Sequence, residues 1–282
     1  MASQGGLETK QLVMVTRLPD EVVSASSVIY APDSLSQIPA DYPANGVSFI
    51  VLPAGSAAHQ RFARDGADWP ALFQAPLVGW IAGYGLATGG RAAVVDGRTE
   101  TFAHDAAVVL HCELRADVAA QVDILNVFEP SDGDVLTFVE EGFSPKTIQV
   151  NGQTQNFAEY LIGVKADVKA PLVADFAGAM VNVSIQAIDA ALGTVALYAP
   201  VFAGVEYRLA RQLTDYESQF SAAMRGKTRS AIFACNCVLN FLYGNLKGRT
   251  LPEPYGPITF GEVAWMLLNQ TMVYVTLRPR SV

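Results

Sequence analysis

The run GVSFIVL, residues 46–52, constrains the fold more than any other stretch of this chain. A run that is apolar at almost every position is typical of a β-strand covered on both faces. PLVGWIAGYG (residues 76–85) predicts a second buried strand that ends in a glycine-rich loop. Short apolar runs separated by turn residues continue along the chain, so strands outnumber helices. We therefore expect an α+β (mixed α/β) fold with two sheet-centred halves, residues 1–150 and 151–282, and helices packed on the sheets.

Local signals predict the positions of helices and turns. Ser56 is placed to cap a helix over residues 57–73, which a glycine and a proline divide into two pieces. Asp96-Gly97 lies between two alternating runs and predicts a two-residue hairpin loop.

A clearer helix signal lies in the second half. Thr214 and Glu217 have the spacing of a capping box, and Gly226 suits the end of that helix. The segment RSAIFACNCVL, residues 229–239, follows directly and predicts a strand.

Composition and charge exclude several classes of protein. No apolar run reaches the roughly 18 residues that a membrane span needs, and no basic and apolar leader opens the chain. The net charge of −8 is spread without a Lys/Arg cluster, which disfavours nucleic-acid binding. Three cysteines, an odd number, indicate free thiols in a reducing compartment. We expect a soluble, cytoplasmic protein that binds neither nucleic acid nor membranes.

Cys235 and Cys237 lie one residue apart in the strand-like run AIFACNC. On a strand they share a face with Phe233, while Asn236 lies on the opposite face. Same-face neighbours are poorly placed for a disulfide, and a lone C-x-C is a weak metal signal. Packed core thiols are the first interpretation, and a reactive or ligating Cys235 is the alternative. Asn236 needs hydrogen-bond partners if it is buried, so it either bonds backbone at a strand end or faces a pocket.

The chain resembles a known family, mainly over about residues 150–282 and more weakly over about residues 45–150. AIFACNC (231–237), then YGPITFGEVA (255–264) and LNQTMVYVTL (268–277), resemble the end of the FIST C-terminal domain, in which an apolar strand runs into a cysteine before G-x-x-x-x-GE and N-x-T segments. APLVGWIAG (75–83) resembles part of the FIST N-terminal domain. The resemblance implies a compact, divergent sensory module that binds a small ligand, such as an amino acid, and signals through a separate partner protein.

The segments that carry the resemblance contain the candidate binding residues. Glu262 follows Gly261 and either accepts a hydrogen bond from a ligand amine or clamps the last loop through backbone N–H groups. Asn269 and Thr271 are expected to share one face of the last strand. The full set of candidate ligand-binding residues is Asn236, Glu262, Asn269, Thr271, Tyr255, Trp265, Phe233 and Cys235.

No cofactor or metal is predicted, and haem, reported for some FIST proteins, is kept as an alternative. Its axial ligand would be His111, His104, His59 or Cys235. His111 shares a strand face with Glu113, so a His–Glu contact is an equal interpretation. The chain has no zinc or calcium spacing, phosphate loop or nucleophile elbow. A cysteine thiolate paired with His111 is the enzymatic alternative.

The resulting hypothesis is a non-catalytic small-molecule sensor acting in intracellular signal transduction. An amino acid or similar metabolite would bind near the end of the cysteine-bearing strand and shift the arrangement of the halves toward a signalling protein partner. The alternative is a non-catalytic assembly or scaffold protein that has lost the pocket. A polar-lined pocket near Glu262 favours binding, whereas a large exposed apolar patch favours assembly. The ligand, the partner and homo-oligomer formation are left open.

Overall fold

The computed structural model describes residues 2–3, 6–7, 14–85, 89–176, 178–225, 231–246, 248–249, 254 and 256–280. Sheets dominate it and helices pack on them, so the predicted α+β class is confirmed. In chain order the strands are β1 (Ala2–Ser3), β2 (Gly6–Leu7), β3 (Val22–Tyr30), β4 (Gly46–Pro53), β5 (Leu77–Ala82), β6 (Val94–Asp96), β7 (Thr101–Ala103), β8 (Ala107–Leu114), β9 (Val118–Leu125), β10 (Leu136–Phe138), β11 (Thr147–Val150), β12 (Gln153–Asn156), β13 (Leu172–Phe176), β14 (Ala179–Val183), β15 (Ile185–Asp189), β16 (Thr194–Leu197), β17 (Tyr207–Leu209), β18 (Ala231–Cys237), β19 (Ile258–Thr259), β20 (Glu262–Ala264), β21 (Met266–Leu268) and β22 (Met272–Pro279). The helices are α1 (Ala57–Asp65), α2 (Phe157–Gly163), α3 (Tyr216–Met224) and α4 (Val238–Tyr243), with 3-10 helices η1 (Pro32–Asp41), η2 (Gly66–Asp68) and η3 (Pro70–Gln74).

The first six-stranded sheet has the order β21-β20-β5-β4-β8-β3. Its central strand β4 contains the run GVSFIVL, and both of its faces are covered, as predicted. Ile50 and Leu52 join the core under η1 and α1, whereas Val47 joins the core shared with β18 and β22. Strand β4 runs parallel to β5 and antiparallel to β8. A side chain at Gly79 would place its Cβ 1.7 Å from the Ile50 carbonyl oxygen, so only glycine allows these strands to approach so closely.

The second six-stranded sheet has the antiparallel order β12-β11-β10-β17-β13-β14. Helix α2 packs beside it through Phe157, which joins the same apolar core as Ile50 of the first sheet. Asn156 caps this helix by accepting a hydrogen bond from the backbone N–H of Glu159. One continuous core therefore underlies both sheets.

A four-stranded sheet, β19-β18-β22-β9, carries the cysteine-bearing strand β18 in its interior. Helices α3 and α4 pack against it through Phe220 and Phe241, which contact the core around Ala234 and Tyr274. The helix α4 begins immediately after β18, so the chain turns from strand to helix without a loop.

Strand pairing crosses residue 150 in all three of these sheets. Strand β20 pairs with β5, β22 pairs with β9, and β10 pairs with β17. The division into residues 1–150 and 151–282 stays a prediction about folding units.

Some local predictions are confirmed and others are corrected. Ser56 caps α1 by accepting a hydrogen bond from the backbone N–H of His59, as predicted. The hairpin β6–β7 has a four-residue loop, residues 97–100, rather than a two-residue loop. The Asp96 carboxylate explains the longer loop because it accepts hydrogen bonds from two groups inside it, the Arg98 backbone N–H and the Thr99 hydroxyl.

The prediction for the start of α3 was also wrong. Its cap is Asp215 rather than Thr214, because the Asp215 backbone is extended and its carboxylate accepts a hydrogen bond from the Ser218 backbone N–H at 3.1 Å. Gly226, expected at the end of this helix, lies outside the described residues. Helix α4 was missed, since its residues 238–239 were assigned to the preceding strand.

Candidate functional site

Three consecutive polar side chains, Asn269, Gln270 and Thr271, are almost fully buried in the turn between β21 and β22. Gln270 has a φ of +50°, so this turn breaks the strand alternation that the sequence predicted. Asn269 and Thr271 therefore do not share a face of the last strand, which begins only at Met272. The Asn269 side-chain oxygen lies 3.5 Å from the Ser184 backbone nitrogen, whereas Thr271 contacts a different group.

That group is Glu262, whose side chain is fully buried. Its Oε2 accepts hydrogen bonds from the Thr271 hydroxyl at 2.9 Å and the Thr271 backbone N–H at 3.4 Å. The Thr259 hydroxyl lies 3.5 Å from Oε1, and the Cys237 thiol also hydrogen-bonds to the carboxyl group. Burial raises the pKa of Glu262 to about 8, and its hydrogen bonds only partly oppose this shift. Burial therefore favours the protonated, neutral form of the Glu262 carboxyl group.

The two cysteines of β18 are buried and protonated. The Cys235 thiol donates a hydrogen bond to the Gly79 carbonyl oxygen at 3.3 Å, and Cys237 contacts Glu262. Burial raises the pKa of both thiols well above the ordinary value. Reactive cysteines have depressed pKa values and partial exposure, so this geometry favours packed core thiols.

Asn240 of α4 links the Glu262 cluster to its surroundings. The side-chain nitrogen of Asn240 donates to the Asn236 side-chain oxygen at 2.9 Å and to the Thr271 carbonyl oxygen at 3.2 Å. Because a backbone carbonyl can only accept, the orientation of the Asn240 amide is fixed. Its Oδ1 is consequently a buried acceptor, and no described residue donates a hydrogen bond to it. Leaving a buried acceptor unpaired costs about 1–3 kcal/mol.

Asn240 also lines a cleft of about 280 Å³ between α3, α4 and the loop before β13. Most of the cleft's lining is polar, and its aromatic members are two tyrosines and a phenylalanine. The lining residues are Phe128, Asp167, Lys169, Ala170, Gln212, Leu213, Thr214, Tyr216, Asn240, Tyr243, Gly244, Asn245 and Gln270. Gln270 is held at this site because its side-chain nitrogen donates to the Lys169 carbonyl oxygen, while its side-chain oxygen accepts from the Ser184 hydroxyl. The cleft has room for a small polar molecule beside Asn240.

The structure brings only part of the predicted site together. Asn236, Glu262 and Thr271 belong to one hydrogen-bonded network with Asn240, and Asn236 also hydrogen-bonds to the Tyr216 hydroxyl. The carboxyl of Glu262 accepts from a backbone N–H in the last turn, which is the clamp that the sequence analysis proposed. Glu262 is not among the residues that line the cleft, and its role in binding stays a prediction.

The predicted apolar walls lie elsewhere. Phe233 stacks on Trp80, with ring centroids 5.8 Å apart, and meets Phe49 edge-on in the core between two sheets. The indole nitrogen of Trp265 donates to the Ala75 carbonyl oxygen. Neither residue lines the cleft, and Tyr255 lies outside the described residues.

Sequence reasoning missed Asn240 and Gln270, the two buried polar residues of the cleft. One signal was present for Asn240, because an isolated asparagine in the apolar run VLNFLY needs a partner when that run is buried. No local signal marks Gln270, since its partners come from the distant segments that carry Lys169 and Ser184.

His111 belongs to a second buried network. Its Nδ1 lies 2.8 Å from the Ser48 hydroxyl and its Nε2 lies 3.0 Å from the Tyr30 hydroxyl, which donates to Asp41 at 2.6 Å. Burial lowers the pKa of His111. The predicted His–Glu contact is not found, because Glu113 accepts a hydrogen bond from Ser24 instead. Ser48, Tyr30 and His111 are all nearly inaccessible to solvent, whereas Asp41 at the end of this network is exposed.

The residues do not fit a haem in the cleft. None of the four candidate axial ligands lines it. His59 accepts a hydrogen bond from the Gly55 backbone N–H, and burial lowers its pKa to about 4. His104 contacts the Ala92 carbonyl oxygen, and Cys235 is bonded within the core.

The described part of the chain shows neither a metal-binding cluster nor a membrane-spanning helix. No group of three or more His, Cys, Asp or Glu side chains there is arranged to hold a metal ion. None of the helices in these ranges is long and apolar enough to cross a membrane.

Comparisons with known proteins place the chain in a family. No curated protein and no solved structure matches it. The comparisons name no FIST protein, so that resemblance stays a prediction. Residues 1–278 match the Family of unknown function (DUF6976), which covers nearly the whole chain. The chain therefore belongs to this family of unknown function.

Proposed function

We propose that this protein is a non-catalytic binding module for a small polar ligand, and that the ligand occupies the cleft between α3 and α4. The observation that carries the proposal is the unpaired Oδ1 of Asn240, a buried acceptor in a residue that lines the cleft. A ligand N–H or O–H group would satisfy this acceptor and remove its desolvation cost.

The remaining groups in the cleft suit a small metabolite with both polar and apolar parts. Asp167 and Lys169 supply opposite charges, and Tyr216 and Tyr243 supply aromatic surface. This combination is compatible with an amino acid, the ligand class that the FIST resemblance implies. The buried, protonated thiols support a role without cysteine catalysis.

The wider role is part of the proposal. The module would act in the cytoplasm as a sensor that signals through a separate protein, and the free state of all three cysteines is consistent with a reducing compartment. The polar-lined cleft next to the Glu262 network favours binding over the assembly alternative.

The test is a ligand screen with two matched asparagine variants. The wild-type protein is titrated with the standard amino acids and with small amines and amides, by thermal shift and by amide NMR spectra. Asn240→Ala removes the cleft acceptor. Asn45→Ala is the control, because Asn45 also donates to backbone carbonyls, those of Leu114, Arg115 and Val118, but does not line the cleft.

The expected result is that at least one compound binds and that Asn240→Ala weakens it about tenfold or more, as the loss of one buried hydrogen bond implies. Asn45→Ala should lower stability and leave the affinity unchanged. The proposal is refuted if no compound binds, or if binding is indifferent to Asn240→Ala.

A further inference from the structure

Two long strands lie at the edges of the main sheets, and only one of them is blocked. Strand β3 is the edge of the first six-stranded sheet, and β9 is the edge of the four-stranded sheet. On β3, a bulge interrupts the register between Val22 and Ser24, and the Arg98 guanidinium donates to the Ser27 carbonyl oxygen. A bulge and a charged side chain at the edge are devices that keep an edge strand from pairing with another chain.

Strand β9 has no bulge, since its register with β22 is continuous over all eight residues. Its sequence, VAAQVDIL, contains no lysine, arginine or proline. The Asn45 side chain donates to the Val118 carbonyl oxygen and so covers only the start of the edge. No described strand continues the sheet beyond β9. The edge is therefore open to another strand over most of its length.

The hydrogen-bond pattern shows which backbone groups of β9 point outward. The Arg280 backbone N–H donates to the Asp117 carbonyl oxygen, and these two residues continue the register of β22 and β9. In an antiparallel ladder every second residue bonds to the neighbouring strand, so the odd-numbered residues of β9 bond to β22. The N–H and C=O groups of Ala120, Val122 and Ile124 therefore point away from the sheet. They have no backbone partner among the described residues.

Two charged side chains beside this edge are not in ion pairs. Asp123 accepts hydrogen bonds from the Gln121 side chain of the same strand. Arg278 is exposed on β22, where it lies opposite Ala119 near the other end of β9. No ion pair within the described ranges includes Asp123 or Arg278. A two-fold axis across the edge would bring the acid of one copy toward the base of the other, twice.

We infer that β9 is a dimerisation edge: two copies of this chain pair their β9 strands antiparallel, with the two-fold axis at Gln121. The two four-stranded sheets then form one sheet of eight strands. In this register the outward groups of Ala120 bond to those of Val122 of the partner subunit, and the reverse. This inference does not depend on the ligand-binding cleft.

Charge selects this register among the symmetric ones. An axis at Gln121 places Asp123 opposite Ala119 of the partner subunit, with Arg278 of the partner subunit one strand further away. Adjacent strands are about 5 Å apart, so the long arginine side chain can reach across the small alanine to the carboxylate. An axis at Asp123 would instead place two carboxylates side by side, which is unfavourable.

The first test is analytical ultracentrifugation of the full chain across the micromolar range, with charge reversals. Asp123→Arg and Arg278→Asp are made separately and together. Arg64→Asp is the control, because Arg64 is an exposed arginine on α1, a helix that packs on a different core from β9. Thermal unfolding checks that each variant is folded.

We expect a wild-type dimer. Each single reversal should weaken it about tenfold or more, because two contacts are lost in each dimer and like charges replace them. The double reversal should restore the wild-type affinity, and Arg64→Asp should leave it unchanged. A chain that stays monomeric, single reversals without effect, or a double reversal that does not recover the dimer overturns the inference.

A second test checks the register without changing a charge. At the axis, Gln121 faces Gln121 of the partner subunit in a non-hydrogen-bonded pair, with about 4.5 Å between Cα atoms, a separation that suits a disulfide. Gln121→Cys should therefore form a disulfide-linked dimer under mild oxidation, since the native cysteines are buried. Gln153→Cys, exposed on the edge strand β12, should not. The absence of a link through Gln121→Cys, or a link through Asp123→Cys in its place, overturns the inference.

Discussion

Replacing Glu262 by Gln should make the protein more stable at neutral pH and remove a pH dependence. The pKa of Glu262 is about 8 in the folded protein, compared with 4.5 in an unfolded chain. Between these values the folded state holds a proton that the unfolded state has lost, so the free energy of unfolding falls as pH rises. Below pH 4.5 both states are protonated and the loss is absent, and above about pH 8 it reaches its full size.

The magnitude follows from the same pKa values. One pH unit corresponds to about 1.4 kcal/mol, and pH 7 lies 2.5 units above 4.5. The free energy of unfolding of the wild-type protein is therefore about 3 kcal/mol lower at pH 7 than it would be if Glu262 had the same pKa in both states. Glutamine resembles the protonated acid: its oxygen can accept from Thr271 and its nitrogen can donate toward Thr259. The variant should therefore keep the hydrogen bonds of the folded state and avoid this loss.

Urea unfolding at pH 5, 6, 7 and 8 measures the effect. The stability difference between Glu262→Gln and wild type should increase by about 1 kcal/mol per pH unit over this range, most steeply between pH 6 and pH 7. Burial lowers the pKa values of His59 and His111, so these residues change the free energy of unfolding mainly below about pH 6.5. Both proteins contain them, so their contribution cancels in the stability difference. Parallel stability curves for the two proteins would refute the idea that Glu262 is a buried neutral acid.

Three further predictions concern other parts of the fold. The three cysteines should react with a thiol reagent only after denaturant is added, and rapid labelling of the native protein would contradict their burial. Gly79→Ala should destabilise by several kcal/mol or prevent folding, because its Cβ would collide with the Ile50 carbonyl, whereas Gly97→Ala, in open space, should change the unfolding free energy by about 0.5 kcal/mol or less. Tyr30→Phe should lower the free energy of unfolding by about 1–3 kcal/mol, since it leaves His111 without one hydrogen-bond partner. An unchanged midpoint of the urea unfolding curve would contradict this.

Local sequence patterns predicted the buried strands well because the residues that determine each strand lie within the same short stretch of chain. The run at β4 is apolar throughout since both of its faces meet a core, and Ser56 caps α1 through a residue three positions away. Helix α4 was missed because a short apolar run fits a strand and a buried helix equally, and no side-chain cap marks its start. Its role depends on the Thr271 carbonyl, which is 31 residues further along the chain.

The candidate site was only partly predictable for the same reason. Glu262 and Thr271 are close in sequence, and their contact agrees with the expected clamp. Asn269 and Thr271 separate because the positive φ of Gln270 turns the chain between them, a feature that strand alternation does not anticipate. The cleft exists only because α3, α4 and the loop around Lys169 converge, and no short motif encodes that convergence.

Two unfavourable features meet in one network, and this is the strongest argument that the network serves binding. The unpaired acceptor of Asn240 and the buried acid Glu262 each lower the stability of the free protein at neutral pH. Apolar residues of similar size at both positions would avoid these costs, so packing alone does not explain them. Natural proteins break local stability rules mainly at functional sites, and here both violations involve residues that hydrogen-bond to Thr271.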